Sequence, residues 1–265
     1  MWKIPAALAL LALLNGCATL PDGRSWGEDV TIAPGWERIG ESARRAATDP
    51  WVWAPLALAG VLQIDDWDTE IADWAREETP VFGSNGDAER WSDDLRTASG
   101  LAYRITALVT PSGTEAPEWL LNKLQGFAVG FAAAATTRFV TSELKQTADR
   151  ERPNGADTES FPSGHTSTSA VYTRLASRNL ESLPIAATTR RVLDIGLDML
   201  VIGTSWSRIE AGWHYPSDTL AGMALGNFLA SFFNDAFLGL DSAAGTGASV
   251  QALPDGAELR WAARF

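Results

Sequence analysis

The sequence has few of the residues that disulfide frameworks and metal sites need. Its 265 residues include one cysteine and two histidines. A single cysteine excludes an intramolecular disulfide and any zinc site that requires several thiolates. Positive charge is also scarce, since 33 acidic residues against 21 basic ones give a formal net charge of −12. This excess argues against nucleic acid or anionic headgroups as general partners, so any anion site must be a local basic cluster.

Long hydrophobic runs are missing from the body of the chain. A membrane-spanning helix needs about 20 mostly apolar residues. Polar or charged residues bracket or interrupt every candidate run: Asn122, Lys123, Arg138, Asp194, Asp198, Asn234 and Asp235. We therefore expect a soluble helical domain, with partial embedding of some helices in a bilayer as the alternative.

The first residues have the layout of a secretory signal peptide. A positive charge at Lys3 precedes an apolar run from Ile4 to Leu14, and Asn15-Gly16-Cys17 follows. This end resembles a bacterial lipobox, which implies a signal peptide over residues 1–16 and lipidation of Cys17. By the same resemblance, Ala18 after the cysteine implies the periplasmic face of the outer membrane. An ordinary signal peptide followed by a buried cysteine is the alternative.

Helical patterns dominate the chain after a stretch rich in Gly, Pro and charge. Residues 17–49 show no steady period and predict a lipidated, extended tether or wrap. Residues 50–240 predict a single all-α bundle of about six core helices: Trp51–Ile64, Trp91–Val109, Glu118–Lys145, Gly164–Leu180, Thr189–Ser207 and Pro216–Leu238. Residues 241–265 form a tail in which Pro254-Asp255-Gly256 favours a small hairpin.

Three segments supply what phosphoryl transfer needs, namely cations for the equatorial oxygens, an in-line nucleophile and an acid for the leaving group. In the first segment, Lys145 and Arg152 lie seven residues apart, and Pro153 stops further helix winding. By itself this pair is equally consistent with two solvated surface charges.

The second segment, Ser160–Ser167, is a turn that leads into a helix. Free backbone N–H groups at a helix N-terminus form an anion site, and Gly164 permits close approach to it. Ser163 adds a hydroxyl donor. A serine-capped helix start with a surface histidine, His165, is the alternative.

The third segment runs from Ser207 to Asp218. His214 and Asp218 are four residues apart, and Pro216 suits the first turn of a helix. An imidazole attacks phosphorus through one nitrogen when an acceptor holds the other nitrogen protonated, and a carboxylate one turn away can do so. A purely structural His–Asp pair is the alternative. Both histidines of the chain lie within these segments.

Together the segments resemble the tripartite signature of the type 2 phosphatidic acid phosphatase superfamily. That superfamily also includes bacterial nonspecific acid phosphatases and vanadate-dependent haloperoxidases. All eleven signature positions match in order: Lys145, Arg152, Pro153, Pro162, Ser163, Gly164, His165, Ser207, Arg208, His214 and Asp218. The resemblance implies the helical-bundle fold of these proteins.

The resemblance also implies a role for each residue. His214 would be the nucleophile that forms a phosphohistidine, oriented by Asp218. His165 would protonate the leaving oxygen and then activate water. The residues that would bind the phosphate oxygens are Lys145, Arg152, Ser163, Gly164 and Arg208. No metal or other cofactor is implied, and the sequence offers no convincing cluster of carboxylates or histidines to hold a metal.

We therefore expect a phosphatase acting on a phosphomonoester or a diphosphate, with a lipid-borne substrate because of the predicted membrane anchor. Trp213, Tyr215 and the loop Asp149–Glu159 are candidates for the rim that selects the substrate. Two alternatives stay open: a vanadate-dependent haloperoxidase and a non-catalytic envelope lipoprotein.

Overall fold

The computed structural model describes residues 18–20, 22–240, 247–253 and 256–262. This part of the chain contains eight α-helices: α1 (Trp36–Thr48), α2 (Pro50–Val61), α3 (Trp67–Glu78), α4 (Asn85–Val109), α5 (Ala116–Ala148), α6 (Gly164–Glu181), α7 (Ala187–Glu210) and α8 (Pro216–Phe233). A π-helical turn, Asn234–Leu238, continues α8. The predicted all-α fold is confirmed, and α1 and α3 are additions to the six expected helices.

Helix α6 occupies the centre of the bundle and packs against α4, α5, α7 and α8. Its small side chains let its neighbours approach closely. In α8, a Cβ added at Gly226 would overlap the Ser167 carbonyl oxygen, and one at Gly222 would lie 2.6 Å from the Ser163 carbonyl oxygen. Because α6 and α8 both begin at the same end of the bundle, this close packing fixes their N-termini next to each other.

The predicted tether over residues 17–49 differs from the structure in its second half, because residues 36–48 form α1. This helix buries only Ser42 and Ala46, and its mean hydropathy is low, although its polar and apolar residues follow a helical period. Its arginines bind the far end of the bundle. Arg38 Nε donates to the Asp235 carbonyl oxygen at 3.1 Å, and Arg45 Nε lies 3.2 Å from Asp235 Oδ2. The packed domain therefore begins before residue 50.

The segment before α1 wraps around the bundle. Trp26 is 1% exposed, and its backbone N–H donates to the Pro111 carbonyl oxygen at 2.8 Å. Further along, the Thr31 N–H donates to the Phe237 carbonyl oxygen at 3.0 Å. Of the two forms expected for this segment, an extended tether or a wrap, the structure therefore adopts the wrap.

Two short strands follow the helices in the chain. Strands β1 (Gly247–Leu253) and β2 (Gly256–Ala262) pair in antiparallel register, with Gly247 opposite Ala262. This is the predicted hairpin, although Pro254 and Asp255 lie outside the described residues. The predicted signal peptide and Cys17 also lie outside them.

Apolar side chains are exposed in stripes along the outer helices. On α7 the exposed residues include Val192, Ile195 and Met199, and on α4 they include Leu101 and Ile105. Within the described residues, none of the helices is both long enough and apolar enough to cross a membrane.

The wrap generates a test, because Gly126 of α5 lies beneath the Trp26 ring and an added Cβ would overlap the ring atoms. We expect Gly126→Ala to lower the free energy of unfolding by about 1–3 kcal/mol, since the indole must shift. Urea denaturation of the purified protein measures this change.

Gly196→Ala on α7 is the matched control, because an added Cβ there meets nothing within 4 Å. This control is expected to be neutral or to stabilise the protein by up to about 1 kcal/mol, since alanine favours the helix. Equal effects of the two substitutions would contradict the close packing of Trp26 on α5.

Candidate functional site

The three sequence segments meet at one end of the bundle, where α5 and α7 end and where α6 and α8 begin. A cavity of about 350 Å³ lies there, lined by Lys145, Arg152, Gly164, His165, Arg208 and His214 together with Glu89, Asp93, Glu159 and Trp213. Two predicted site residues, Ser163 and Asp218, are fully buried rather than part of the cavity wall. The fold thus brings together groups that are spread over four helices and their loops.

Three cations face this cavity. Arg152 and Arg208 are 9% and 6% exposed, and their guanidinium carbons lie 4.9 Å and 5.1 Å from the Trp213 ring centroid. Arg208 Nη1 donates weakly to Ser92 Oγ at 3.3 Å. Its Nε is buried and has no hydrogen-bond partner in the described part of the chain. An anion in the cavity would satisfy this donor.

The proximity of these cations changes their protonation. Burial, followed by the charge of Arg152, lowers the pKa of Lys145 to about 8. The same two causes lower the pKa of Arg208 to about 10. The cations therefore repel one another, and an anionic ligand bound between them would relieve this repulsion.

The N-terminus of α6 faces the same cavity through Gly164. A Cβ added at Gly164 would lie 3.9 Å from Lys145 Cε, so the glycine keeps this space beside the lysine open. Ser163 Oγ caps the helix by accepting from the Thr166 N–H at 3.5 Å. The Ser163 N–H donates to the Asp218 carbonyl oxygen at 2.9 Å, which joins the start of α6 to α8.

His214 is 1% exposed, and its Nδ1 lies 2.6 Å from the Ser160 carbonyl oxygen. A carbonyl oxygen can only accept, so Nδ1 carries the proton and Nε2 keeps its lone pair. Burial is the main cause that lowers the pKa of His214 well below its usual value, and Arg208 and Lys145 act in the same direction. His214 is therefore a neutral imidazole at neutral pH, the form that a nucleophile requires.

The expected direct contact between Asp218 and His214 is not the arrangement in the structure. Asp218 Oδ2 lies 3.9 Å from His214 Nδ1 and instead accepts from Ser160 Oγ at 2.6 Å and from the Tyr215 N–H at 2.9 Å. The carboxylate is drawn to these shorter contacts, and the Ser160 carbonyl oxygen takes its place at the imidazole. Asp218 is therefore linked to His214 through Ser160 and does not contact the imidazole directly.

His165 stands on the opposite side of the cavity at the start of α6. Its Nε2 lies 3.0 Å from Asp93 Oδ1 of α4. Burial is the main cause that lowers the pKa of His165 to about 4, and Arg208 adds to it, whereas the hydrogen bond that His165 donates to Asp93 opposes it. A bound anion that offsets the charge of Arg208 would raise this pKa and favour the protonated, acidic form.

Several residues of the site could not be assigned from the sequence. Asp93 lies 72 residues before His165, in a helix where nothing distinguishes it from other acidic residues. Arg150 and Ser160 lie inside the recognised segments, but the spacing of the signature does not assign them a role. No group of three or more His, Cys, Asp or Glu side chains among the described residues is placed to hold a metal ion.

Comparisons with known proteins show which family the chain is similar to. Residues 125–238 match the family model of the PAP2 superfamily. Phosphatidylglycerophosphatase B of Bacillus subtilis strain 168 is 31% identical over 100 residues, which cover 36% of this chain and 49% of the relative. The chain thus spans about half the length of that curated relative.

A solved structure shares the fold. It is the crystal structure of a transmembrane PAP2-type phosphatidylglycerolphosphate phosphatase from Bacillus subtilis, with a TM-score of 0.50 and 20% sequence identity over 69% of this chain and 92% of that chain. The region matched by the family model begins within α5, ends at the π-helical turn and includes all eleven signature positions. The resemblance predicted from those positions is confirmed: the chain carries a PAP2 superfamily domain over residues 125–238.

Proposed function

We propose that this protein is a phosphohydrolase that cleaves a phosphomonoester or a diphosphate through a phosphohistidine at His214. The observation that carries the proposal is the shared cavity, in which a buried neutral imidazole faces three cations and a second histidine. This is the set of groups that phosphoryl transfer needs, because the protein must hold the equatorial oxygens while a nucleophile attacks in line.

In the first step, the phosphate oxygens bind Lys145, Arg152 and Arg208 together with the N-terminus of α6. His214 Nε2 attacks phosphorus as the bond to the leaving oxygen breaks, and the Ser160 carbonyl oxygen holds the Nδ1 proton. His165 donates a proton to the leaving oxygen, so the alcohol or phosphate leaves with one negative charge fewer.

In the second step, His165 accepts a proton from a water molecule whose oxygen attacks phosphorus. The P–N bond breaks, inorganic phosphate forms and His214 returns to the neutral imidazole. Because one histidine acts first as an acid and then as a base, the cycle closes without a further proton donor. No step in this scheme requires a metal ion or another cofactor.

The proposed substrate is lipid-borne, and two considerations support it. The relatives described above are named as phosphatases of a phospholipid, and the predicted acylation of Cys17 would hold the protein at a membrane, proposed to be the periplasmic face of the outer membrane. In the cavity wall, the guanidinium groups of Arg152 and Arg208 lie over the Trp213 ring, which limits how far this side chain can adapt to a substrate. Tyr215, the other expected rim residue, is not among the residues that line the cavity.

The nucleophile is tested by His214→Ala. We expect the rate of phosphate release to fall by at least about 10³-fold, because no other group can form the covalent intermediate. Phosphate release is measured with EDTA present throughout, and the wild-type protein is expected to keep its activity under these conditions. Thermal unfolding checks that the variant remains folded. Normal turnover by folded His214→Ala would refute the proposed nucleophile.

The reduced pKa of Lys145, about 8, predicts an alkaline limit to activity. The lysine is charged below this pKa and loses its proton as the pH rises through it, so phosphate binding weakens. We therefore expect kcat/KM to fall above about pH 8 in a profile from neutral to alkaline pH. The pH dependence of this ratio reports the pKa values of groups in the free enzyme.

Lys145→Arg is the matched variant, since a guanidinium stays charged over this range. Its kcat/KM is expected to be flatter above about pH 8, even if its maximum is lower. An alkaline limb of the same midpoint in this variant would show that another group causes it.

The substrate class is tested by a phosphate-release screen of the purified protein. We expect higher kcat/KM for detergent-dispersed phospholipid phosphates than for soluble phosphomonoesters, because the leaving group of the former matches that of the relatives. Activity on soluble esters alone would refute the lipid preference while leaving the chemistry intact.

The two alternative functions are tested by a second assay. Bromide oxidation with vanadate and peroxide, without phosphate release, would favour the haloperoxidase. No activity in either assay would favour the non-catalytic lipoprotein.

A further inference from the structure

Arg150 binds the carboxylate next to the proposed nucleophile. Its Nη1 donates to Asp218 Oδ1 at 2.6 Å and to Ser217 Oγ at 2.8 Å. Its guanidinium carbon lies 4.1 Å from the ring centroid of Tyr215, which supports the planar group from one side. The other end of the guanidinium, Nη2, donates to Asp68 Oδ2 at 2.7 Å. Arg150 thus joins two carboxylates that are otherwise separate.

Asp68 fixes Arg150 from α3, which lies outside the region that matches the family model. Its side chain is 3% exposed. Asp68 Oδ1 accepts from the Ser217 N–H at 2.8 Å, and Oδ2 accepts from Ser217 Oγ at 2.5 Å and from Gln63 Nε2 at 2.9 Å. The first turn of α8 and the guanidinium of Arg150 are therefore held by the same carboxylate.

The contacts continue from Asp218 to His214. Asp218 Oδ2 accepts from Ser160 Oγ at 2.6 Å, and the carbonyl oxygen of the same serine accepts the Nδ1 proton of His214 at 2.6 Å. Ser160 therefore positions the imidazole through its backbone and is itself held through its side chain. Displacement of the Asp218 carboxylate would release Ser160 and, with it, the imidazole.

We propose that Arg150 and Asp68 are positioning residues for the nucleophile, acting through Asp218 and Ser160 on the ring of His214. As a statement about catalysis this inference rests on the proposed function, whereas the effect on the His214 ring does not. Neither residue contacts the cavity, so neither is expected to bind phosphate.

The charges around Asp218 show why Arg150 matters. His214 and the Tyr215 N–H, in the segment before α8, face Asp218. Arg150 and Ser160, in the α5–α6 loop, also face it. Lys145, at the end of α5, interacts with Asp218 through its charge at longer range. Burial raises the pKa of Asp218, and the charge of Arg150 is the largest opposing cause.

Loss of Arg150 would therefore favour the protonated carboxyl group of Asp218. The protonated group accepts fewer hydrogen bonds, so it would hold Ser160 and the Tyr215 N–H less well. It would also lose the negative charge 3.9 Å from the imidazole, where positive charge develops when the phosphohistidine forms.

The main test is Arg150→Gln. We expect kcat to fall by about 10²-fold, since displacement of a reacting group can lower the rate by that factor. KM is expected to stay within about threefold of the wild-type value, because the proposed phosphate-binding cations are unchanged. The acidic limb of the kcat profile is expected to move to higher pH, because Asp218 now binds its proton more tightly. Arg150→Lys, which keeps the cation, is expected to recover part of kcat and most of the pH profile.

Arg174→Gln is the matched control. Arg174 forms an ion pair with Asp49 and donates to Ser231 Oγ at 3.1 Å, so it also joins several elements, but it does not line the cavity. Its loss is expected to lower thermal stability and to leave kcat and the pH profile unchanged. Equal kinetic effects of Arg174→Gln and Arg150→Gln would reduce Arg150 to a structural role and overturn the proposal.

A measurement without substrate separates this inference from the proposed function. The chain has only two histidines, so the ring N–H signals can be assigned by comparison with His165→Gln. We expect the Nδ1 proton of His214 to give a downfield NMR signal that shifts upfield or is lost by exchange in Arg150→Gln and persists in Arg174→Gln. An unchanged signal in Arg150→Gln would overturn the proposal, even if the wild-type protein proved inactive on every phosphate ester.

Arg150→Gln leaves two buried carboxylates without their cation, which can prevent folding. The double variant Asp68→Asn/Arg150→Gln removes one of these negative charges and is expected to be more stable than Arg150→Gln alone. Its kcat is expected to remain about 10²-fold below that of the wild-type protein, because Asp218 still lacks its cation. Wild-type kcat in this folded double variant would overturn the proposal.

Discussion

The structure of the site depends on three cations, the buried Arg152 and Arg208 and the half-buried Lys145, which share one cavity at the end of a helical bundle. Burial, followed by the charge of Arg152, lowers the pKa of Lys145 and of Arg208. Burial, followed by the charges of these cations, also lowers the pKa of His214 and so keeps its imidazole neutral. An anionic substrate would relieve the repulsion among the cations and would raise the pKa of His165, which must be protonated to act as an acid. Substrate binding and the protonation state needed for catalysis are therefore linked through the same charges.

The bundle can hold these charges because helix ends, rather than helix sides, form the cavity. Gly222 and Gly226 allow α8 to lie directly on α6, so the N-termini of both helices reach the same place. Carboxylates also lie beside these cations: Glu89, Asp93 and Glu159 line the same cavity, whereas Asp218 is buried outside its wall and pairs with Arg150. The site is thus a local cluster of cations in a protein whose net charge is −12.

Much of the site could be predicted from the sequence because its residues lie in three short segments with fixed spacing. The resemblance of the three segments to one signature predicted that the candidate phosphate-binding cations, both histidines and the start of α6 lie together, and the structure places them around one cavity. Asp93 could not be predicted, since its contact with His165 depends on how α4 packs against α6. The indirect link from Asp218 to His214 could not be predicted either. A spacing of four residues indicates that two side chains are near each other, but not which hydrogen bonds they form.

The fold was predictable to a similar degree. Six helices were visible from their apolar patterns and turn residues. Helix α1 was not predicted although its residues follow a helical period, because its buried face consists of two small residues and its contacts with Asp235 are made by arginines. The wrap around Trp26 depends on Gly126, a single glycine whose importance appears only when the ring lies on it. Long-range contacts of this kind leave no periodic signal in the sequence.

The proposed mechanism requires that His214 becomes covalently phosphorylated during turnover. The most direct measurement is rapid quenching of the protein with a phosphate ester labelled on phosphorus, followed by mass spectrometry of the peptides that contain His165 and His214. We expect a labelled, acid-labile and alkali-stable phosphate on His214 that forms and decays at rates compatible with turnover. Label on another residue, or turnover in which no phosphorylated protein forms, would contradict it.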